Sequence, residues 1–178
     1  ASRVLAQALG VSLFTWTGVI GVMLAGTALG NFAGGLLADR VSRPGSPVNP
    51  RSALAATLIL AGGSTVLVFV AMAVVTQRGA FESWGPITRV TVLTLGLFLL
   101  PLLLLGLVSP QVIRLSVPDV AHAGRVAGRV YAWSTAGAIA GTFAAGYVLL
   151  SRLGMFTTLL GVSLALTLVS LLVQDIWR

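Results

Sequence analysis

Long uncharged runs are the feature that most limits how this chain can fold. Residues 4–38 carry no charged side chain, and Asp39-Arg40 then ends the run, followed by Arg43 and a connection rich in Pro and Gly. Such a run is longer than the roughly 20 apolar residues that a helix needs to cross the hydrocarbon core of a bilayer. The abrupt charged pair therefore indicates the corner of a transmembrane hairpin.

Charged residues divide the rest of the chain into further apolar runs. They predict five full membrane helices, at about 12–38, 52–76, 90–108, 130–150 and 155–173. Residues 1–10 are too short to span, and we interpret them as the tail of an earlier helix whose start is missing. The expected fold is therefore an all-α polytopic membrane protein, with one transmembrane domain over residues 1–178.

Composition excludes several classes of protein. The chain is 57% hydrophobic and 8% charged, whereas soluble domains carry about 25% charged residues, so a cytosolic enzyme is excluded. The net charge of +7 comes from arginines that sit between apolar runs instead of on one basic face, which argues against nucleic acid. With no Cys and a single His, we expect no cofactor and no metal in this stretch.

The distribution of arginine predicts an orientation. Cytoplasmic ends of membrane helices carry an excess of Arg and Lys. If the corner after Ala38 is cytoplasmic, that side receives Arg40, Arg43, Arg51, Arg114, Arg125, Arg129 and Arg178. The other side receives Arg3, Arg78, Arg89 and Arg152. This bias predicts a cytoplasmic C-terminus.

The third span and the connection after it contain prolines. Pro101 lies inside the span, where the missing N–H is expected to kink the helix. Residues 109–129 form a long connection, and its piece PQVIRLSVP is apolar, contains Arg114 and is bounded by prolines. This piece is typical of a segment that lies along the inner membrane interface.

Small residues recur along two of the spans. Gly26, Gly30 and Gly34 follow one another every four residues, and Gly137 and Gly141 repeat the spacing, a pattern that lets two helix backbones approach closely. We therefore predict a topology and packing motif in the corner, made of Gly30, Gly34, Gly35, Asp39 and Arg40. Asp39-Arg40 has two equally weighted interpretations, a conformational latch or a solvated pair that only sets topology.

The same two spans share a short sequence. Gly30–Leu37 reads GNFAGGLL and Gly141–Val148 reads GTFAAGYV, three spans later. A repeat that recurs after three spans has the opposite topology, which is typical of the inverted repeats of secondary transporters. Chance similarity between small-residue helices is the alternative.

Polar residues within the spans are candidates for lining the bundle: Asn31, Tyr131, Ser134, Thr135 and Thr142. For the hydroxyl groups, hydrogen bonding to the helix backbone is favoured over contact with a solute. The four acids and the His lie at span ends or in connections. Ion-coupled transport usually needs an ionisable group inside the membrane, so an autonomous ion-coupled pump is disfavoured.

Three blocks of sequence resemble a known family. They are SLFTWTGVIGVMLAGTALGNFAGGLLADR, LLLLGLVSPQVIRL and GRVAGRVYAWSTAGAIAGTFAAGYVL. They are similar to the membrane part of bacterial spermidine-synthase-like proteins, in which a major-facilitator-like bundle is fused to a spermidine-synthase-like domain. GGLLADRVSRPG also resembles the loop between the second and third helices of major-facilitator transporters, although Arg43-Pro44 departs from the transporter pattern. The resemblance implies that the five spans are helices two to six of a six-helix half.

The resemblance also implies a function. A cytoplasmic aminopropyltransferase-like domain, active in polyamine biosynthesis, is expected after residue 178, so no catalytic residue can be assigned within 1–178 and enzymatic activity stays open. The expected role is to anchor that domain in the lipid bilayer and to handle its polyamine substrate or product. Two alternatives remain: a major-facilitator-type half-transporter that moves a small solute as a homo-oligomer, and a passive membrane scaffold.

Overall fold

The computed structural model describes residues 13–77, 85–117 and 122–175, and within these ranges every long element is a helix and no strand occurs. The five long apolar helices expected from the sequence are confirmed, each long and apolar enough to cross a membrane. They are α1 (Leu13–Val41), α2 (Pro50–Gln77), α3 (Pro86–Ser116), α4 (Ala123–Phe143) and α5 (Gly154–Asp175). A π-helical segment, Ala144–Leu149, and a short helix, Leu150–Arg152, join α4 to α5. The predicted tail of an earlier helix lies outside the described residues.

The connection between the third and fourth helices differs from the sequence-based prediction. Helix α3 runs through both Pro101 and Pro110 to Ser116, and α4 begins at Ala123. The prediction of an interfacial segment from residue 109 is therefore wrong for the described residues. Proline removes one backbone hydrogen bond, but helices in membrane proteins tolerate it where neighbouring helices support the chain.

The helices alternate in direction along the chain, so α1, α3 and α5 run parallel to one another and antiparallel to α2 and α4. Helix α1 packs along α3, and α2 lies between α3 and α5. One end of the bundle therefore contains the end of α1, the start of α2, the end of α3, the start of α4 and the end of α5. We call this the arginine end, since it carries Arg40, Arg43, Arg51, Arg114, Arg125 and Arg129.

A cluster of buried apolar side chains lies between α2 and α3, toward the end of the bundle opposite the arginine end. Val68 and Met72 of α2 are buried against Leu97 of α3. Phe69 and Phe156 extend this contact to α5, with ring centroids 4.8 Å apart. The central helix α2 is correspondingly the best covered, since 56% of the residues in its most apolar stretch are buried.

Helix α4 is packed differently from the others. None of its residues is buried, and a Cβ added at Gly137 or Gly141 would meet nothing within 4 Å. Its continuation reverses direction at Gly154, where φ is +75°, a left-handed conformation that glycine adopts without strain. One long face of α4 is therefore left uncovered by the described part of the chain.

Candidate functional site: a cleft at the arginine end

The glycine stripe of α1 lies directly against α3. A Cβ added at Gly26 would lie 2.8 Å from Leu102 Cβ, and one at Gly34 would lie 2.8 Å from Leu107 Cα. At Gly30 the added atom would collide with the carbonyl oxygen of Leu103. The two backbones therefore approach more closely than any side chain would allow at these positions.

This close approach brings the corner after α1 next to the end of α3. Asp39 Oδ1 lies 4.0 Å from Nε of Arg114, not beside its sequence neighbour Arg40. The two side chains are 71% and 52% exposed. An exposed pair at this distance contributes little to stability, typically about 0–1 kcal/mol.

A cleft of about 430 Å³ opens beside this ion pair, between α1, α3 and the first turns of α4. Four residues singled out from the sequence line it: Asn31, Gly35, Asp39 and Tyr131. Arg114 adds a guanidinium from α3, and Pro110 and Ile113 supply apolar wall. The cleft therefore combines a carboxylate, an amide, a phenol and a guanidinium, groups that bind a small polar or charged solute through hydrogen bonds.

The remaining predicted residues lie away from this cleft. Gly34 lies at the α1–α3 contact, and Arg40 is exposed at the end of α1. Ser134, Thr135 and Thr142 are exposed on α4 and do not line this cleft. The hydroxyl of Thr142 donates to the carbonyl of Ala138 at 2.8 Å, a bond within its own helix.

A buried polar pair escaped the sequence-based prediction. Gln111 is 2% exposed, and its Nε2 donates to Thr57 Oγ1 at 3.1 Å and to the Leu107 carbonyl at 3.0 Å. Its Oε1 is buried and has no hydrogen-bond partner among the described atoms. The signal in the sequence is a Gln within an apolar run, but the prediction of an interfacial segment there gives Gln111 no place inside the bundle.

Three other buried hydroxyls donate hydrogen bonds to backbone carbonyls, in one case between two helices. Ser170 of α5 is fully buried and donates to the carbonyl of Ala55 in α2 at 3.0 Å. Ser64 and Thr65 donate to carbonyls of their own helix at 2.7 Å. Such bonds satisfy polar groups that an apolar environment would otherwise penalise.

The described residues contain no group of three or more His, Cys, Asp or Glu side chains that could hold a metal ion. Comparison of the chain with protein-family models, with curated proteins and with solved structures finds no match in any of the three. Architecture and local chemistry therefore define the chain as a bundle of five long apolar helices, with a polar cleft at its arginine end.

Proposed function

We propose that this chain is the membrane domain of a spermidine-synthase-like protein, which holds a cytoplasmic aminopropyltransferase-like domain at the inner face of a bacterial plasma membrane. The observation that carries the proposal is the arginine end. Among the described residues it gathers six arginines, whereas Arg89 and Arg152 lie at the other end. An excess of arginine favours the cytoplasmic side, and α5 ends there, so a following domain would start in the cytoplasm.

We further propose that the five helices form one half of a major-facilitator-like bundle. The alternating directions of the helices and the sequence shared by α1 and α4 support this assignment. The cleft beside Asp39 then lies at the cytoplasmic surface, next to the attached domain. Its carboxylate, amide and phenol oxygens accept hydrogen bonds from ammonium groups, and a bound polyamine would compete with the Arg114 guanidinium for Asp39.

Topology mapping tests the proposed orientation. A reporter that is active only in the cytoplasm is fused after Arg178, and a reporter that is active only outside is fused there in parallel. We expect the cytoplasmic reporter alone to be active. Activity of the external reporter alone would overturn the orientation.

The coding sequence that follows residue 178 tests the fused enzyme separately. We expect a strand, a Gly-rich loop and a helix typical of a nucleotide-binding fold, together with acidic residues for a polyamine. A coding region without this pattern would refute the fusion while leaving the membrane topology unaffected.

The uncovered face of α4 favours a second candidate, a half-transporter that completes its pathway as a dimer. The purified chain is reconstituted in liposomes at rising protein density, and uptake of a labelled polyamine is measured. A half-transporter predicts flux that rises more steeply than protein density, and Asn31→Leu should reduce it because Asn31 lines the cleft. A flux that does not rise with protein density would argue against the half-transporter. The membrane anchor and the passive scaffold would then remain as the candidate functions.

A further inference from the structure

The arginine end carries a second, mostly apolar groove on the other side of α3. Its larger part has a volume of about 500 Å³ and lies between α3 and α4, lined by Val112, Ser116, Val126, Arg129, Val130 and Trp133. Val112 and Ser116 also line a neighbouring cleft of about 290 Å³, which reaches Arg51 of α2 and Val173 of α5. We call these two connected clefts the arginine groove.

Both charged residues that line the arginine groove are arginines. Arg129 lies at the wall formed by α4, and Arg51 lies at the wall formed by α2. Asp39 lines the cleft beside Arg114 and not this groove. In the larger part of the groove, a ligand therefore meets the guanidinium of Arg129 and no carboxylate among the lining residues.

On the proposed topology, the groove lies at the depth of the boundary between lipid headgroups and acyl chains. Arg129 lies six residues after the start of α4, which is about 9 Å along the helix axis. Trp133 follows one turn later and is 76% exposed, and Trp is enriched at membrane interfaces. The valines 112, 126 and 130 supply an apolar surface beside these two residues.

We propose that the arginine groove binds an anionic phospholipid. The guanidinium of Arg129 binds the phosphate with two parallel hydrogen bonds, and the hydroxyl of Ser116 donates a third. One acyl chain lies along the valines between α3 and α4. Basic clefts between membrane helices bind anionic headgroups on the cytoplasmic side, whereas the ammonium group of a zwitterionic lipid would be repelled by the arginines. The inference rests on the proposed membrane topology and not on the fused enzyme.

Native mass spectrometry of the full chain tests this proposal. The protein is delipidated in detergent and titrated with phosphatidylglycerol or with phosphatidylcholine, and the fraction that retains lipid is measured for each. Arg129→Gln removes the phosphate contact, while Arg43→Gln removes the same charge from the exposed α1–α2 connection as a matched control. We expect Arg129→Gln to weaken binding of phosphatidylglycerol about tenfold and Arg43→Gln to leave it unchanged.

Two further measurements test the position of the lipid. Val112→Phe fills the apolar wall without changing charge and should lower phosphatidylglycerol binding as well. Inorganic phosphate at millimolar concentration should not displace the lipid, because it gains nothing from the valines. The proposal would be overturned if Arg129→Gln and Arg43→Gln lost phosphatidylglycerol binding equally, or if both lipids bound equally well. Full displacement of the lipid by phosphate would also overturn it. Extraction of the chain from membranes at alkaline pH is a separate test, because release there would refute the membrane topology itself.

Discussion

Helices α1 and α4 share a sequence pattern but differ in their surroundings. Gly30 in the first copy lies against α3, so close that an added Cβ would collide with the Leu103 carbonyl oxygen. Gly141, its counterpart in the second copy, has nothing within 4 Å of an added Cβ. The second copy also passes from the α-helix into the π-helical segment Ala144–Leu149. A stripe of small residues thus marks a face that another helix can approach, and the described part of the chain supplies a partner for one copy alone.

The largest expected effect comes from adding a large side chain to the first copy, on α1, which packs against α3. Gly30→Leu should destabilise the bundle by about 3 kcal/mol or more, because the new side chain meets backbone atoms of α3 that cannot rotate away. Thermal unfolding in detergent measures the loss. Gly35→Leu is the matched control in the same helix, since nothing lies within 4 Å of its Cβ. An equal loss in both variants would show that close packing is not the cause.

Removing one hydroxyl from the packed helix α2 and one from the uncovered helix α4 should give a smaller difference in the free energy of unfolding. Thr57→Val should cost about 1–2 kcal/mol, because Nε2 of the buried Gln111 loses one of its two acceptors. Thr142→Val should change stability by less than about 0.5 kcal/mol, because its hydroxyl is exposed and bonds only within its own helix. Adding Gln111→Leu to Thr57→Val should recover part of the loss. No recovery in the double variant would argue against this pair as the cause.

Adding a methyl group to the second copy, on the uncovered helix α4, should stabilise the protein. Gly141→Ala should raise stability by up to about 1 kcal/mol, since alanine favours the helix and no neighbour lies within 4 Å. The reference is Gly106→Ala in α3, whose added Cβ would lie 2.9 Å from Gly30 Cα and should destabilise the protein. Chemical denaturation in detergent, together with the molecular mass in solution, checks both. A loss of stability in Gly141→Ala would mean that another chain covers this face.

The smallest expected effect concerns the ion pair between α1 and α3. A double-mutant cycle with Asp39→Asn and Arg114→Gln should give a coupling energy below about 1 kcal/mol, because both side chains are more than half exposed. The coupling should fall further as salt is added. A coupling above about 2 kcal/mol that persists in high salt would favour a latch over a pair that only sets topology.

The number of long helices could be predicted from the sequence because charge is expensive inside a bilayer, so arginines mark the ends of apolar runs. The same rule placed some ends wrongly. The predicted fourth span begins after Arg129, yet α4 includes both Arg125 and Arg129, since a long side chain can extend from a helix toward water. The predicted third span ends at about residue 108, yet α3 continues through Pro110 to Ser116.

The site could be predicted only in its residue types. The sequence predicts Asn31 and Tyr131 as polar residues within apolar spans and Asp39 as part of the charged corner, and the structure brings these three to one cleft. The contribution of Arg114 could not be predicted, because it depends on the glycine contacts that bring α3 beside α1. Which helix packs on which is a long-range property, and a local small-residue pattern does not specify it.

The contact between α1 and α3 also has a consequence for how the protein would respond to bilayer thickness. Helix α3 has 31 residues and is about 46 Å long, whereas the 22 residues of α5 extend about 33 Å, closer to a hydrocarbon core of about 30 Å. A helix that is too long for its bilayer tilts or emerges from it. Because glycine contacts hold α1 to α3, the two must tilt together as one rigid pair, while α4 can adjust separately. Hydrophobic mismatch would therefore change the angle between this pair and α4, and with it the width of both clefts at the arginine end.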